Sequence, residues 1–392
     1  MHSPMHLHLI KKQNIAMKTL YNLRSFTKAL ILLGTFGIAG LVKAQDPIFT
    51  QFYNNPLYYN PGNVGLNPGM RARINYRDQW PGLPYNFKTY SFNMDIAERS
   101  IPGSGGLGFI ILNDKAGAGK LQTTSVGLST AARVPIRQNS VAQVGFSVSF
   151  VQKMINCNDL VFSDQLSPRY GNIYTSAFQS PDRWNITYPD FAVGGIYRFS
   201  EINSSITGIQ GTFGVAVHHV FRPNESLSGL RAPLPRKLVV HGDLVMGIDQ
   251  SSRSFYNRMN NPKSLMFNPG FIYEKQGNFS TFSIGVNVLQ SSVYTTGIWF
   301  RNQIFDFVKA NDLMFALGLY LPFNKGSRMK IIYSYDLILT KLRPAAGGAH
   351  EVTIAFEFDD ISLFGSGYVY GSRFGSDNRR RRPYQELERY PF

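Results

Sequence analysis

The chain of 392 residues is poor in cysteine, in charged side chains and in long apolar runs. Its single cysteine, Cys157, excludes an intramolecular disulfide framework and a cysteine-rich metal site. No segment approaches the roughly 18 consecutive apolar residues of a transmembrane helix, so a membrane crossing would require a closed β-barrel. Charged residues make up 16% of the chain, against about 25% in a typical soluble domain. We therefore expect something other than water around part of the molecule.

Two short stretches of the chain are rich in basic residues, so the net charge of +16 does not indicate a nucleic-acid partner. The first 44 residues hold six of the 40 basic residues and none of the 24 acidic ones. A run of four arginines, Arg379–Arg382, lies close to the last residue. The remaining excess is ordinary for a protein surface, so we expect no nucleic-acid binding.

Residues 1–44 have the pattern of a secretory signal. Met17 offers a second start, basic residues follow it, and the apolar run 29–42 precedes Gln45. We expect export through the Sec pathway and removal of 1–44. The predicted organisation is then a non-strand segment at 45–69, a barrel at 70–359 and an arginine-rich tail at 360–392.

Alternation of apolar and polar residues with a period of two recurs along the body of the chain. MRARINYR, residues 70–77, places Met70 and Ile74 on one face and three arginines on the other. Fourteen such strands are predicted at 70–77, 89–98, 105–112, 122–133, 141–152, 189–199, 211–221, 237–248, 264–274, 279–289, 293–302, 313–321, 328–338 and 350–358.

The even number and the length of these strands predict an all-β fold, a transmembrane antiparallel barrel of the outer-membrane type. The polar faces carry mostly Ser, Thr, Asn, Gly and Arg, which is typical of a hydrated lumen. If the first strand starts in the periplasm, the connections that follow odd-numbered strands face outward, and these are the longer ones on average. The alternative is a water-soluble sandwich or barrel, whose polar faces would carry many Lys and Glu.

The segment 45–69 is rich in Asn-Pro pairs, including Asn55-Pro56 and Asn60-Pro61. Each pair favours a turn, because proline moves the preceding residue out of the helical region and asparagine bonds its own backbone. We predict a compact plug-like segment inside or below the barrel.

This segment, followed by YRDQWPGLPYNFKTYSFNMD at 76–95, resembles the start of the PorP/SprF family of outer-membrane proteins. Further similar stretches follow in order: VHHVFRPNESL at 217–227, LPRKLVVHGD at 234–243, FNPGFIYE at 267–274 and SYDLILTKLRPAAGGAHEVTIAF at 334–356. The resemblance implies a non-enzymatic component of type IX secretion and gliding motility in the outer membrane. It implies periplasmic ring lipoproteins or secreted surface adhesins as partners, with outer-membrane lipid around the barrel. The arginine-rich tail departs from the family pattern.

A polar network is predicted in the lumen, where the last strands meet the first. Pairing of 328–338 with 350–358 is expected to place Lys330 opposite Glu357 and Asp336 opposite Glu351. Arg77 on the first strand then reaches the two acids, because that strand must close the barrel. We interpret the cluster as a structural network, the alternative being a catalytic acid pair.

Aromatic side chains in two connections are candidates for partner binding. They are Trp80, Tyr85 and Phe87 near the first hairpin, and Trp184 in the long stretch 153–188. Aromatic residues of this kind anchor interfaces, but barrels also use them at the membrane surface.

The remaining chemistry-bearing residues give little support for an enzyme or a cofactor. His218, His219 and His241 could bind zinc, but adjacent strand residues point to opposite faces, which favours a structural role. The G-x-S-x-G motif of hydrolases is absent, and GSGGLG at 103–108 lacks the helix and lysine of a phosphate-binding loop. We expect no catalytic residue, metal or cofactor. The alternative function is a channel of the FadL type for small apolar solutes.

Overall fold

The computed structural model describes residues 45–98, 101–117, 121–137, 139–156, 160–177, 183–202, 208–227, 230–247, 265–290, 293–303, 310–324, 327–339, 343–359 and 361–363. The predicted signal segment 1–44 and nearly all of the predicted tail, including its four arginines, lie outside these residues.

Fourteen strands pair in sequence order to form a closed antiparallel barrel. A two-stranded hairpin, β6–β7, is inserted between β5 and β8, which pair directly, and β1 closes the barrel against β16. The strands are β1 Met70–Gln79, β2 Phe87–Ala97, β3 Ser104–Ala116, β4 Leu121–Arg137, β5 Ser140–Asn156, β6 Leu166–Ser167, β7 Gly171–Asn172, β8 Arg183–Ile202, β9 Gly208–His218, β10 Lys237–Gly247, β11 Leu265–Gln276, β12 Phe279–Gln290, β13 Tyr294–Gln303, β14 Ala310–Asn324, β15 Ser327–Ile338 and β16 Ala349–Phe358. The predicted number of barrel strands is confirmed.

The barrel is apolar outside and polar inside. On β1, Arg71, Asn75 and Arg77 are buried, whereas Ile74 is 48% exposed. Phe150 on β5 is 65% exposed, whereas Gln143 on the inward face of the same strand is buried. A soluble sandwich would bury the apolar face instead, so this distribution requires an apolar medium around the molecule. No helix among the described residues is long and apolar enough to cross a membrane.

The two ends of the barrel differ in their connections. We call the end where β1 finishes the loop end; it carries the connections 157–182, 219–236 and 339–348. The opposite end, where β1 begins, is called the short-turn end; most strands that meet there are separated by few residues in the sequence, and the longest separation is 248–264. The predicted difference in loop length between the ends is therefore present.

The segment 45–69 contains no strand. It forms a 3-10 turn at Phe52–Asn54, a helical turn at Pro56–Tyr59 and a second 3-10 turn at Pro61–Asn63. Both prolines stand at the start of a turn, where no backbone N–H is needed. A further helical turn, Arg343–Ala346, lies at the loop end between β15 and β16.

Two expectations from the sequence are wrong in detail. Lys330 pairs with Ala355 and Asp336 with Ala349, so the register of β15 against β16 is shifted by two residues from the predicted one. Trp184 belongs to β8, opposite Ile155 of β5, because both strands extend well beyond their predicted ends. It therefore lies on the barrel wall and not in a loop.

Candidate functional site in the barrel lumen

The segment 45–69 crosses the lumen from the loop end to the short-turn end. At the loop end, the backbone N–H of Asp46 donates to Gln276 Oε1 at 3.0 Å. Near the short-turn end, Gln143 Nε2 donates to the Gly62 carbonyl at 2.9 Å, and the N–H of Gly65 donates to Asp95 Oδ2 at 3.1 Å. The segment thus contacts walls on opposite sides of the barrel before it enters β1.

Arg77, Asp336 and Glu351 lie together in the lumen. Arg77 Nη2 lies 2.8 Å from Asp336 Oδ2, and Nη1 lies 3.3 Å from Glu351 Oε2. The cluster includes Thr50 of the segment 45–69, which we call the lumen segment. The Thr50 hydroxyl donates to Asp336, and the Thr50 N–H donates to Glu351 at 2.7 Å. Arg77 also donates to the Thr50 hydroxyl. The acids are therefore engaged in holding the segment.

The neighbouring residues of the segment are held by the same wall. The Gln51 N–H donates to Glu351 Oε1 at 3.2 Å, and its side-chain amide donates to Ser334 Oγ at 3.0 Å. Arg301 of β13 donates to the Phe49 carbonyl at 3.0 Å. Because an unpaired backbone group buried in the lumen would be costly, these bonds fix the path of the chain.

The Asn-Pro turns fit against the wall where it carries glycine. Asn60 Nδ2 donates to the Gly195 carbonyl at 3.1 Å, and its Oδ1 accepts from the N–H of Gly62. A methyl group at Gly194 would overlap this Oδ1, and one at Gly145 would overlap the Pro61 carbonyl. The absence of side chains at these glycines therefore lets the segment approach the backbone of the wall closely.

Asn55 makes the corresponding contacts on the other side of the lumen. Its Oδ1 accepts from Asn93 Nδ2 at 2.8 Å, and its Nδ2 donates to Ser91 Oγ at 3.2 Å. Asn55 is fully buried, as is Asn60. Both predicted turn asparagines thus bond the barrel wall through their side chains. The predicted bond to the residue's own turn is made by Asn60, whereas the side chain of Asn55 makes no such bond.

At the loop end, the start of the segment is fixed by a histidine between two carboxylates. His219 Nε2 lies 2.9 Å from Asp46 Oδ2, and Nδ1 lies 2.9 Å from Asp190 Oδ2. We call Asp46, His219 and Asp190 the clasp. Burial disfavours the protonated ring, but the two carboxylates outweigh it and raise the pKa of His219 to about 10. Burial opposes ionisation of Asp46 as well, but His219 overcomes it and moves the pKa of that carboxyl well below its usual range.

The interpretation of the histidines by strand alternation is corrected here. His219 has a φ of 56°, a left-handed conformation that breaks the alternation just beyond β9. His218 also faces inward, with Nε2 3.0 Å from the Tyr59 carbonyl, and His241 Nε2 lies 3.2 Å from Asn60 Nδ2. Among the described residues, no group of three or more His, Cys, Asp or Glu side chains is arranged to hold a metal ion.

The second predicted ion pair lies near the short-turn end. Lys330 Nζ is 3.0 Å from Glu357 Oε1, although the two residues are not opposite each other. Arg328 binds the other carboxylate oxygen, and Arg71 approaches Glu357 at 3.7 Å. One buried carboxylate therefore serves three cations.

A small open cavity remains beside the segment in the half nearer the short-turn end. Its lining is mixed, with Trp299 and Tyr53 beside Arg73, Asp95 and His241. Trp299 stacks on Tyr53 at 5.9 Å and donates from its indole to Asn287. The polar groups make the space unlike a purely apolar pocket.

The predicted aromatic anchors do not form one patch. Trp80 is half-buried, has a φ of 60° and packs edge-on against Phe87 at 5.3 Å. Tyr85 is exposed, and Trp184 is half-buried on β8. A larger apolar surface lies on the insert 160–177, through Val161, Leu166, Tyr170, Ile173 and Tyr174, all more than half exposed.

Several residues of the lumen site were not predicted. Thr50 and Gln51 lie at 45–51, the start of a segment whose prediction relied only on its Asn-Pro turns. Asp46 is 173 residues from its partner His219. The polar side chains of Asp46, Thr50 and Gln51 in an otherwise apolar stretch are the feature that could have indicated contacts with a polar lumen. The sequence does not identify the residues they contact, because these lie on strands far along the chain.

The closed barrel with an apolar exterior and a lumen occupied by its own N-terminal segment defines a transmembrane β-barrel protein. The profile of the family described as type IX secretion system membrane protein PorP/SprF matches residues 41–356. The chain belongs to the PorP/SprF family and is an outer-membrane protein.

Comparison with curated proteins gives no match. Among solved structures, a FadL homologue of Pseudomonas aeruginosa is similar at 10% identity, over 78% of this chain and 94% of that chain, with a TM-score of 0.37. The toluene transporter TbuX of Ralstonia pickettii is similar at 10% identity, over 78% and 93%, with a TM-score of 0.37. The outer membrane protein Omp33 of Acinetobacter baumannii is similar at 8% identity, over 75% and 99%, with a TM-score of 0.34. The assignment of the fold rests on the strand pairings, and these similarities add no argument on function.

Proposed function

We propose that the protein is a non-enzymatic anchor of the type IX secretion apparatus, which holds partner proteins at the outer membrane. The observation that carries the proposal is the occupied lumen. Residues 45–69 are bonded to the wall through Thr50, Gln51, Asn55 and Asn60, and the wall glycines fit their backbone. A barrel whose lumen is filled by its own bonded segment is suited to holding partner proteins and not to passing solutes.

The proposed outward side is the loop end, because outer-membrane barrels carry their longer loops outside the cell. The partner there is a secreted surface adhesin, and the contact surface is the insert 160–177. Tyr170 is 66% exposed and Tyr174 is 55% exposed, with Arg169 over the Tyr170 ring at 5.4 Å. Exposed aromatic residues of this kind anchor protein interfaces. Ring lipoproteins would meet the short-turn end, on the periplasmic side.

Substitution of the insert tests this surface. The double variant Tyr170→Ser, Tyr174→Ser is expected to lower the amount of adhesin retained on the cell, while the barrel itself remains in the outer membrane. The matched control is Tyr294→Ser, which removes a tyrosine that is 57% exposed at the start of β13, at the short-turn end. Affinity capture from detergent extracts, scored separately for adhesin and ring lipoproteins, measures the effect. Unchanged adhesin recovery in the double variant would contradict the proposal.

The proposal excludes the carboxylates Asp336 and Glu351 from catalysis. Both are held by Arg77 and Thr50, and both are almost completely buried. The conservative double variant Asp336→Asn, Glu351→Gln is expected to weaken the bonds that hold the segment 45–69. We expect no change in any hydrolytic activity of the preparation. Loss of a hydrolytic activity in this variant, with the barrel folded, would refute the non-enzymatic assignment.

A second candidate function is a channel for small apolar solutes, which the aromatic groups Trp299 and Tyr53 in the lining of the remaining cavity favour. The polar lining and the bonds that hold the segment across the lumen favour the anchor instead. Liposome swelling with the intact protein distinguishes the two functions. We expect no uptake of neutral apolar solutes above that of empty vesicles, and specific uptake of one solute would favour the channel.

A further inference from the structure

The outward face of β1–β4 changes character over three successive rows toward the loop end. Each row is formed by residues that are directly opposite one another on neighbouring strands, and the rows are two residues apart. The first row is apolar, the second is aromatic and polar, and the third is charged and polar. In strand order they are Ile74, Phe92, Ile111 and Val126; Tyr76, Tyr90, Asn113 and Thr124; and Asp78, Lys88, Lys115 and Gln122.

These rows locate the edge of the hydrocarbon region. Tyr76 and Tyr90 lie with their rings 5.0 Å apart, and Asn113 donates to Thr124 Oγ1 at 2.7 Å. Tyrosine with a polar end is typical of the level at which lipid tails give way to headgroups. Rows two residues apart are separated by about 7 Å along a strand, so the third row stands at the level of the headgroups.

In the third row, Lys88 of β2 lies directly opposite Lys115 of β3. Directly opposed like charges destabilise a sheet unless another group neutralises them. The nearest acid in the row, Asp78, accepts from Asn86 Nδ2 at 2.6 Å and from the Tyr76 hydroxyl at 3.4 Å. Within the described part of the chain, neither lysine forms an ion pair. The two ammonium groups are therefore not held in an ion pair there, although Asp78 stands opposite Lys88 on its other side.

We propose that Lys88 and Lys115 bind the phosphate group of an anionic lipid headgroup in the leaflet at the loop end. Each ammonium offers three donors, and a phosphate between them would relieve the repulsion of the opposed charges. The apolar residues below, Phe92 and Ile111, lie beside the acyl chains of the same lipid. The position on the lipid-facing side of the wall favours a lipid phosphate over inorganic phosphate.

The experiment measures lipid selectivity with the full-length protein. Protein in detergent is titrated with mixed micelles that contain lipid A or dioleoylphosphatidylcholine, and retained lipid is counted by native mass spectrometry. We expect selective retention of lipid A by the unaltered protein. Each lysine near a membrane surface contributes about 1 kcal/mol toward anionic lipid, so Lys88→Gln, Lys115→Gln is expected to reduce selectivity by about 10- to 30-fold.

The matched control is Lys275→Gln, which removes an exposed lysine at the loop end of β11. Lys275 is opposite Leu238 and Ser280, so it has no lysine beside it. By the same contribution per lysine, we expect this single substitution to reduce selectivity by no more than about 5-fold. Equal losses in Lys275→Gln and the double variant would overturn the proposal, because total surface charge would then explain the binding. Full competition by millimolar inorganic phosphate would overturn the assignment to a lipid.

Discussion

Arg77 and Asp336 lie on β1 and β15, two strands that are not neighbours, yet Arg77 Nη2 is 2.8 Å from Asp336 Oδ2. The strand between them is β16, which supplies Glu351 to the same guanidinium. The ion pair therefore spans the seam where the first and last strands meet. It also binds Thr50, so closure of the barrel and placement of the lumen segment depend on one group of side chains.

Replacement of Arg77 by methionine is predicted to destabilise the barrel strongly. Asp336 and Glu351 would remain buried without their cation, and loss of one partner of a buried pair costs about 3–5 kcal/mol. The free energy of unfolding in urea, measured in detergent micelles, gives the effect. Arg137→Met is the control, because Arg137 is exposed at the end of β4. A loss below about 1 kcal/mol in Arg77→Met would contradict the role of the network.

Alanine at Gly194 is predicted to disturb the lumen segment, whereas alanine at the next residue is not. The added methyl group would overlap Asn60 Oδ1, but at Gly195 the nearest atom, the Gln143 carbonyl oxygen, is 3.9 Å away. Overpacking in a tight interior costs about 1–3 kcal/mol. Urea unfolding of Gly194→Ala and Gly195→Ala under the same conditions compares two sites on one strand. Equal stability of the two variants would show that Asn60 is free to move.

The clasp predicts a stability that falls as the pH rises above neutrality. The pKa of His219 is raised from its usual 6.5 to about 10, so its contribution is fully present below pH 6.5 and is lost as the pH rises toward 10. The lowered pKa of Asp46 gives a contribution that is present above pH 3.8 and is lost as the pH falls below that value.

The measurement is the midpoint temperature of unfolding between pH 6 and pH 10. Asp46→Asn is expected to flatten the decline, because it removes one of the carboxylates that keep His219 protonated. Asp359→Asn, at the short-turn end, is expected to keep the decline of the unaltered protein. A pH profile of Asp46→Asn that matches the unaltered protein would rule out the clasp.

Replacement of Glu357 by glutamine is predicted to destabilise the short-turn end. Lys330, Arg328 and Arg71 would lose the carboxylate they share, with an expected cost of about 3–5 kcal/mol. Asp359→Asn is the comparison, because Asp359 is 17% exposed and pairs only with Arg71 among the described residues. The free energy of unfolding in urea is expected to be much lower in the Glu357 variant than in the Asp359 variant. The opposite order of the two free energies would contradict this prediction.

The strands and the residues of the seam were predictable because they depend on a period of two. A register error of two residues leaves every side chain on its face, so Lys330 still reaches Glu357 from its actual position opposite Ala355. For the same reason Arg77, Asp336 and Glu351 meet although the predicted pairs were wrong. The hydrophobic pattern fixes the face of each residue, but it does not fix the register.

The path of the lumen segment and the clasp were not predictable in this way. Asp46 meets a histidine whose positive φ turns it inward, against the alternation of the preceding strand. Nothing in the sequence of 45–69 gives its direction through the lumen. That direction is set by single contacts with distant strands, such as that of Asn60 with the Gly195 carbonyl.

The contacts of the segment with opposite walls have a mechanical consequence. A hollow barrel under a sideways load flattens, because only the hydrogen bonds between strands resist the change of its cross-section. Here Thr50 ties the segment to the seam at β1, β15 and β16, and Asn60 ties it to β8 and β9. Because these contacts join opposite walls, we expect the segment to resist flattening of the barrel when the loops are pulled.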